Sequence, residues 1–184
     1  MKTNILLHIC CAPCSVACVK TLRADDFDVS GYWNNPNIHP YTEYKARRDC
    51  LREYAEKIDL KLILDDEYGL RTFVRNVSPN FNTRCEYCYR VRLEATASYA
   101  AQNGFEGFST TLLISPYQKH DLLAQMGEEI GEKYGVPFVY RDFRPLFRSG
   151  QQEARELGLY MQKYCGCIFS EEERYLRKKQ RSKE

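Results

Sequence analysis

The chain has 184 residues, 43% hydrophobic and 28% charged, with a net charge of +2, which suits one compact domain and excludes a disordered, collagen-like or low-complexity chain. No apolar run approaches the ~18 residues that cross a bilayer as a helix, so the expectation is a cytoplasmic protein with no membrane partner. The excesses are fourteen Tyr, nine Phe and nine Cys, and in a reducing cytosol so many thiols point to metal or redox chemistry rather than to disulfides.

Short apolar runs at 4–9, 28–33, 61–65, 105–110 and 137–141 read as strands, and they alternate with helical patterns at 15–24, 40–58, 88–103 and 117–134. His8 lies inside the first strand and reads as a core histidine. Cys10-Cys11-Ala12-Pro13-Cys14 follows that strand, and the next helix carries Cys18. Asn34-Asn35-Pro36-Asn37-Ile38-His39-Pro40 follows the second strand, and Asp65-Asp66 ends the third. The segment Thr110 to Tyr117 follows the fourth strand and Asp142-Phe143-Arg144 the fifth, while Gly104 and Gly135 stand where helices end. The pattern predicts a three-layer α/β/α fold with about five parallel strands, in a single domain over 1–184 that ends in a cysteine-rich segment and a basic C-terminal helix or tail at 171–184. In such sheets ligands bind beyond the carboxyl ends of the strands, and every unusual motif falls on that rim.

Seven thiols form three groups: Cys10, Cys11 and Cys14; Cys85 and Cys88; Cys165 and Cys167 around Gly166. A C-x-x-C pair in a first helical turn lets both sulfurs reach one metal, and the helix N-terminus favours thiolate. Four soft ligands suit tetrahedral zinc or an iron–sulfur cluster, and seven exceed the needs of one such centre. The reading is therefore a cluster beside a second metal, divided as Cys85, Cys88, Cys165 and Cys167 around one and the first group around the other, completed by Asp142 or Asp66. A purely structural zinc site and a thiol–disulfide pair remain the alternatives. Cys18 and Cys50 stand apart and read as ordinary helical cysteines.

The remaining rim residues offer acids and cations. Asp66, Asp142 and Tyr117 are candidate proton donors, as are His39 and His120; Asp65, Tyr41 and Tyr89 complete the polar set. From Arg71 to Arg92 five Arg face one acid, and Arg174 to Glu184 holds six basic residues. Arg84, Arg90, Arg92 and Arg144 are the phosphate-binding candidates. The loop after the first strand takes the place of the phosphate loop of the ATP pyrophosphatases (the nucleotide alpha-hydrolase, PP-loop-like fold). It has Cys and Pro where such loops need Gly and Ser amides, which argues against ATP hydrolysis.

In this order the motifs resemble the cobalamin-independent epoxyqueuosine reductases of the QueH type. The resemblance rests on Leu7-His8-Ile9-Cys10-Cys11-Ala12-Pro13-Cys14-Ser15, on Asn35-Pro36-Asn37-Ile38 with Pro40, Glu43-Tyr44 and Arg48, and on Arg84-Cys85 with Cys88 and Arg92-Leu93-Glu94. It continues through Thr110 to Tyr117, Asp142-Phe143-Arg144 and Tyr160-Met161-Gln162-Lys163-Tyr164-Cys165-Gly166-Cys167, with Met161 where an Arg is expected. The resemblance implies a [4Fe–4S] enzyme with a neighbouring mononuclear metal, iron, that reduces epoxyqueuosine in the tRNA anticodon to queuosine with electrons from an external donor. It also implies that Asn35 and Asn37 contact the substrate. The competing readings are a zinc-binding RNA-interaction module and a thiol–disulfide oxidoreductase.

Overall fold

The computed structural model describes the backbone of residues 2–181 and the side chains of residues 2–176. Four parallel strands form one sheet: β1 (Thr3–His8), β2 (Phe27–Trp33), β3 (Leu62–Leu64) and β4 (Gly107–Thr110), in the order β3-β2-β1-β4. Central β1 pairs Leu6 with Ser30 on one side and with Phe108 on the other. Its Ile5, Leu6 and Leu7 have no exposed surface, as expected of a strand covered on both faces.

The fifth expected strand, 137–141, is reduced to a single parallel bridge between Phe108 and Phe138. Phe108 N donates to Pro137 O at 3.0 Å and Val139 N to Phe108 O at 2.8 Å. Pro137 has no N–H to extend the ladder, and Tyr140 N turns back onto Phe138 O at 3.1 Å, so pairing stops there.

Two helical layers cover the sheet. Helix α1 (Ala12–Ala24) packs on β2 and against α2 (Tyr41–Lys57) and α6 (Phe147–Glu156). Across the sheet, α4 (Arg84–Gln102) packs on β1 and β4 and against α3 (Leu70–Val77) and α5 (His120–Tyr134). The close approach of α5 to the bridge segment depends on Gly127, whose Cβ would fall 2.4 Å from the Phe138 ring. The C-terminal helix α7 runs from Ile168 to Arg181. The basic tail expected at 171–184 is thus helical through Arg181; residues 182–184 lie outside the described residues, as do the side chains from 177 onward. Among the described residues no helix is long and apolar enough to cross a membrane.

Candidate metal centre

Three strand ends are fastened at the carboxyl rim by His8. The ring is buried, and its Nε2–H donates to Asn35 Oδ1 at 3.2 Å while Nδ1 accepts from Thr110 Oγ1 at 2.9 Å. Burial and the nearby Arg92 lower its pKa to about 4, so the ring is neutral at physiological pH and keeps both bonds. Asn35 also donates from Nδ2 to Ile9 O at 2.9 Å, which makes it part of the scaffold.

Immediately beyond β1, Cys10 lies in the connecting turn, Cys11 caps α1 with an extended backbone, and Cys14 sits in the first helical turn. Pro13 is tolerated there because first-turn N–H groups have no intrahelical partner. The three sulfurs lie within 4.8 Å of one another, and they are the one such trio of ligand atoms among the described residues. Hydrogen bonds from the Cys11 and Cys14 thiols and from Thr111 hold the Cys10 thiol well below its ordinary pKa. Burial and the Cys10 sulfur push Cys11 up, and the Cys10 and Cys11 sulfurs together with burial push Cys14 up. Gln162 Nε2 donates to Cys11 Sγ at 2.9 Å, and its Oε1 is buried without a hydrogen-bond partner.

The second and third thiol groups meet each other. Cys85 and Cys88 occupy the first turn of α4, and Cys88 packs with Cys167, Phe73 and Val77 in a small apolar cluster under α3. Cys165 and Cys167 lie in the loop before α7. Burial raises the Cys85 pKa and pushes Cys88 up to about 12, and in both cases Cys165 and Cys167 add to the rise.

The loop that carries Cys165 and Cys167 is clamped from α2 and from the turn after β2. Buried Arg47 binds Glu43 Oε1 at 2.7 Å and donates to the carbonyls of Tyr164 and Cys165 at 2.9 Å each. His39 N donates to Gly166 O at 2.8 Å, and Tyr164 Oη donates to His39 O at 2.6 Å. Gly166 has φ +154, and a Cβ there would meet Ile38 at 3.3 Å and Asn37 at 3.4 Å, so a side chain at this turn would be strained.

Seven free thiols, none tied in a disulfide, fit a thiolate-ligated metal by their chemistry. The profile of the family described as "Epoxyqueuosine reductase QueH" matches residues 5–173. The chain belongs to this family. It is 40% identical over 175 residues to the epoxyqueuosine reductase QueH of Dehalococcoides mccartyi, an alignment covering 95% of this chain and 96% of that one. It is 36% identical to the QueH of Thermotoga maritima, with 91% and 90% covered. Among solved structures it resembles a predicted subunit of a tRNA methyltransferase from Methanocaldococcus jannaschii, with a TM-score of 0.56 at 12% identity over 84% of this chain and 75% of that one. It also resembles the U34-tRNA thiolase NcsA from Methanococcus maripaludis with its [4Fe-4S] cluster, with a TM-score of 0.62 at 12% identity over 92% and 61%. At that identity the two structures establish the fold alone. The three-layer α/β architecture is the expected one, and membership in the family makes the chain an oxidoreductase.

The polar residues expected at a QueH site have partners of their own. Asp142 accepts two hydrogen bonds from the Arg144 guanidinium, at 2.9 and 2.7 Å, and the pair holds its carboxyl at about 2. Asp66 binds Arg48 at 2.6 Å and accepts from Tyr44 Oη at 2.8 Å, which holds it below the ordinary carboxylate range. Tyr117 is 84% exposed with its ring edge against Phe147. Arg84 pairs with Glu173 at 2.5 Å, while Arg90 is exposed. Arg92, expected on phosphate, is buried against Cys88. Asn37 is buried with an unpartnered Oδ1. Of the histidines, His39 is buried and neutral with a pKa of about 4, and His120 Nε2 bonds Tyr140 Oη at 2.9 Å. Sequence reasoning passed over Arg47 and Gln118, which donates to Cys165 Sγ at 3.3 Å. The signal for Arg47 was its spacing of four from Glu43, the pitch of a helical ion pair.

Proposed function

We propose that the chain removes the epoxide oxygen of epoxyqueuosine in the tRNA anticodon, giving the alkene of queuosine. The reaction takes up two electrons and two protons, breaks two C–O bonds and releases the oxygen as water. The observation that carries this reading is the trio of Cys10, Cys11 and Cys14 sulfurs within 4.8 Å of one another at the rim of a chain that matches the reductase family over residues 5–173. The ligand division is Cys85, Cys88, Cys165 and Cys167 around one centre and Cys10, Cys11 and Cys14, completed by Asp142 or Asp66, around the other, one a [4Fe–4S] cluster and the other a mononuclear iron. Such centres supply low-potential electrons and Lewis acidity when bound.

The chain's own residues then do three things. Gln162 fixes the Cys11 sulfur and presents a buried carbonyl oxygen to a donor on the substrate. Arg47 and His39 hold the third thiol group against the second. Tyr117, exposed at the rim and carrying a phenol, is a proton donor beside Asp66 and Asp142, and it offers a flat ring to an unpaired base. An external reductant delivers the electrons.

Anaerobic iron and sulfide analysis, run with an assay on a tRNA stem-loop bearing epoxyqueuosine and a low-potential reductant, tests the proposal. About four to five Fe with about four sulfides, and the deoxygenated product, are expected. Cys85→Ser should lose the broad visible band and turnover together. Stoichiometric zinc without sulfide, and no turnover after cluster reconstitution, would overturn the proposal.

A further inference from the structure

We propose that Arg92 is the fixed counter-charge of the thiolate centre, a positioning residue that raises the centre's reduction potential. The inference rests on the function proposed above for the redox centre, and on the burial of Arg92 for the rest. Arg92 is 2% exposed in the middle of α4. A guanidinium out of water costs several kcal/mol unless an anion faces it. Arg47, which is equally buried, has Glu43 at 2.7 Å. Arg92 has no carboxylate within 4 Å among the described residues.

The side chain that Arg92 touches is the Cys88 thiol. Burial pulls its pKa down, and Cys88, Cys165, Cys10 and Tyr89 outweigh that pull. Its Nη2 donates to Cys88 Sγ at 2.9 Å and its Nε to Cys88 O at 2.9 Å. Both bonds go to the residue four positions earlier on the same helix, so the side chain ties no second element into the fold. A structural cross-link does not account for it, and neither does an ion pair with an acid.

What remains is charge, placed on the Cys88 sulfur of the second thiol group. When the second thiol group binds metal as thiolates, the cation is balanced by the sulfur it touches. A centre that gains an electron becomes more negative, so a cation hydrogen-bonded to one of its sulfurs stabilises the reduced state more than the oxidised one. Arginine carries its charge at any working pH, which makes the bias constant.

The test compares wild type with Arg92→Met, which removes the charge at similar length, and with Arg92→Lys, which keeps it. In redox titrations of the anaerobically reconstituted proteins, Arg92→Met should shift the one-electron reduction equilibrium at least tenfold toward the oxidised form, a fall of at least about 59 mV. Arg92→Lys should stay closer to wild type. In urea, apo Arg92→Met should unfold at no lower concentration than apo wild type, because an uncompensated buried charge has gone. An unchanged potential, or an apo Arg92→Met protein that unfolds earlier or does not fold, would overturn the inference in favour of a structural role. If wild type takes up no cluster, the function proposed above fails instead. The counter-charge is then read from Zn2+ affinity, which should be at least tenfold weaker in Arg92→Met and would overturn it if equal to wild type.

Discussion

His39 shows how a single ring can hold a ligand loop. Its Nε2–H donates to Pro36 O at 3.0 Å and its Nδ1 accepts from Ile168 N at 3.4 Å, with the ring packed between Tyr68 and Phe73. Only the neutral ring can do both, and burial keeps it neutral by lowering its pKa to about 4. The folded value lies below the ordinary value near 6.5. Above about pH 6.5 neither state binds the proton and the full stability is present. As the pH falls from there toward 4 the unfolded chain is protonated first, and up to about 3 kcal/mol is lost. His8 carries the same sign, so the contribution of His39 is the difference between wild type and His39→Phe. Urea unfolding of the apo protein at pH 7 and pH 4.5 should show a smaller fall in the variant. Equal falls would mean that His39 is not held neutral by the fold.

At the level of elements, the site depends on how the loop before α7 bends. Gly166 turns the backbone between Cys165 and Cys167 at φ +154, over Ile38 and Asn37. Gly166→Ala should cost about 1–3 kcal/mol through backbone strain and misdirect both thiols. Iron content after reconstitution should then fall to that of a Cys165→Ser/Cys167→Ser double variant, with the far-UV spectrum unchanged. Full iron content would show that this bend does not aim the thiols. The elements legible in the sequence are those with clear periodicity: β1 to β4, the helices α1, α2, α4 and α5, and the C-x-x-C pair, although α4 starts four residues earlier than its apolar face suggests. Helices α3 and α6 leave no such signal. α3 is only eight residues long and is followed by Pro79, and α6 carries Gly150 at mid-length. That glycine is a cost in an isolated helix, yet here it lets α6 approach α1, since a Cβ would meet Ala17 at 3.1 Å. Within the site, the thiol groups are legible because cysteines cluster along the chain. The burial of Arg92 and Asn35 is not, because residue type shows charge and polarity while only the packed fold shows which side chains face inward.

At the scale of the whole molecule, the question is how an RNA reaches the thiol rim. The basic run from Arg71 to Arg92 splits once folded: Arg92 is buried, Arg84 is paired with Glu173, and Arg71, Arg75 and Arg90 stay exposed on α3 and α4. These two helices also carry Phe73, Cys85 and Cys88 at the second thiol group. Exposed arginines beside the reacting site suit phosphate contacts, which fix where the RNA lies while the base enters the rim. The triple variant Arg71→Glu/Arg75→Glu/Arg90→Glu should therefore weaken binding to an anticodon stem-loop and flatten its salt dependence, by about 0.7 in log–log slope for each single-strand phosphate that is no longer neutralised. Arg92→Lys should leave both unchanged, because a buried cation releases no counterion. Unchanged affinity in the triple variant, measured between about 50 and 200 mM salt, would move the RNA track off α3 and α4 and onto α7, where Arg174 is exposed.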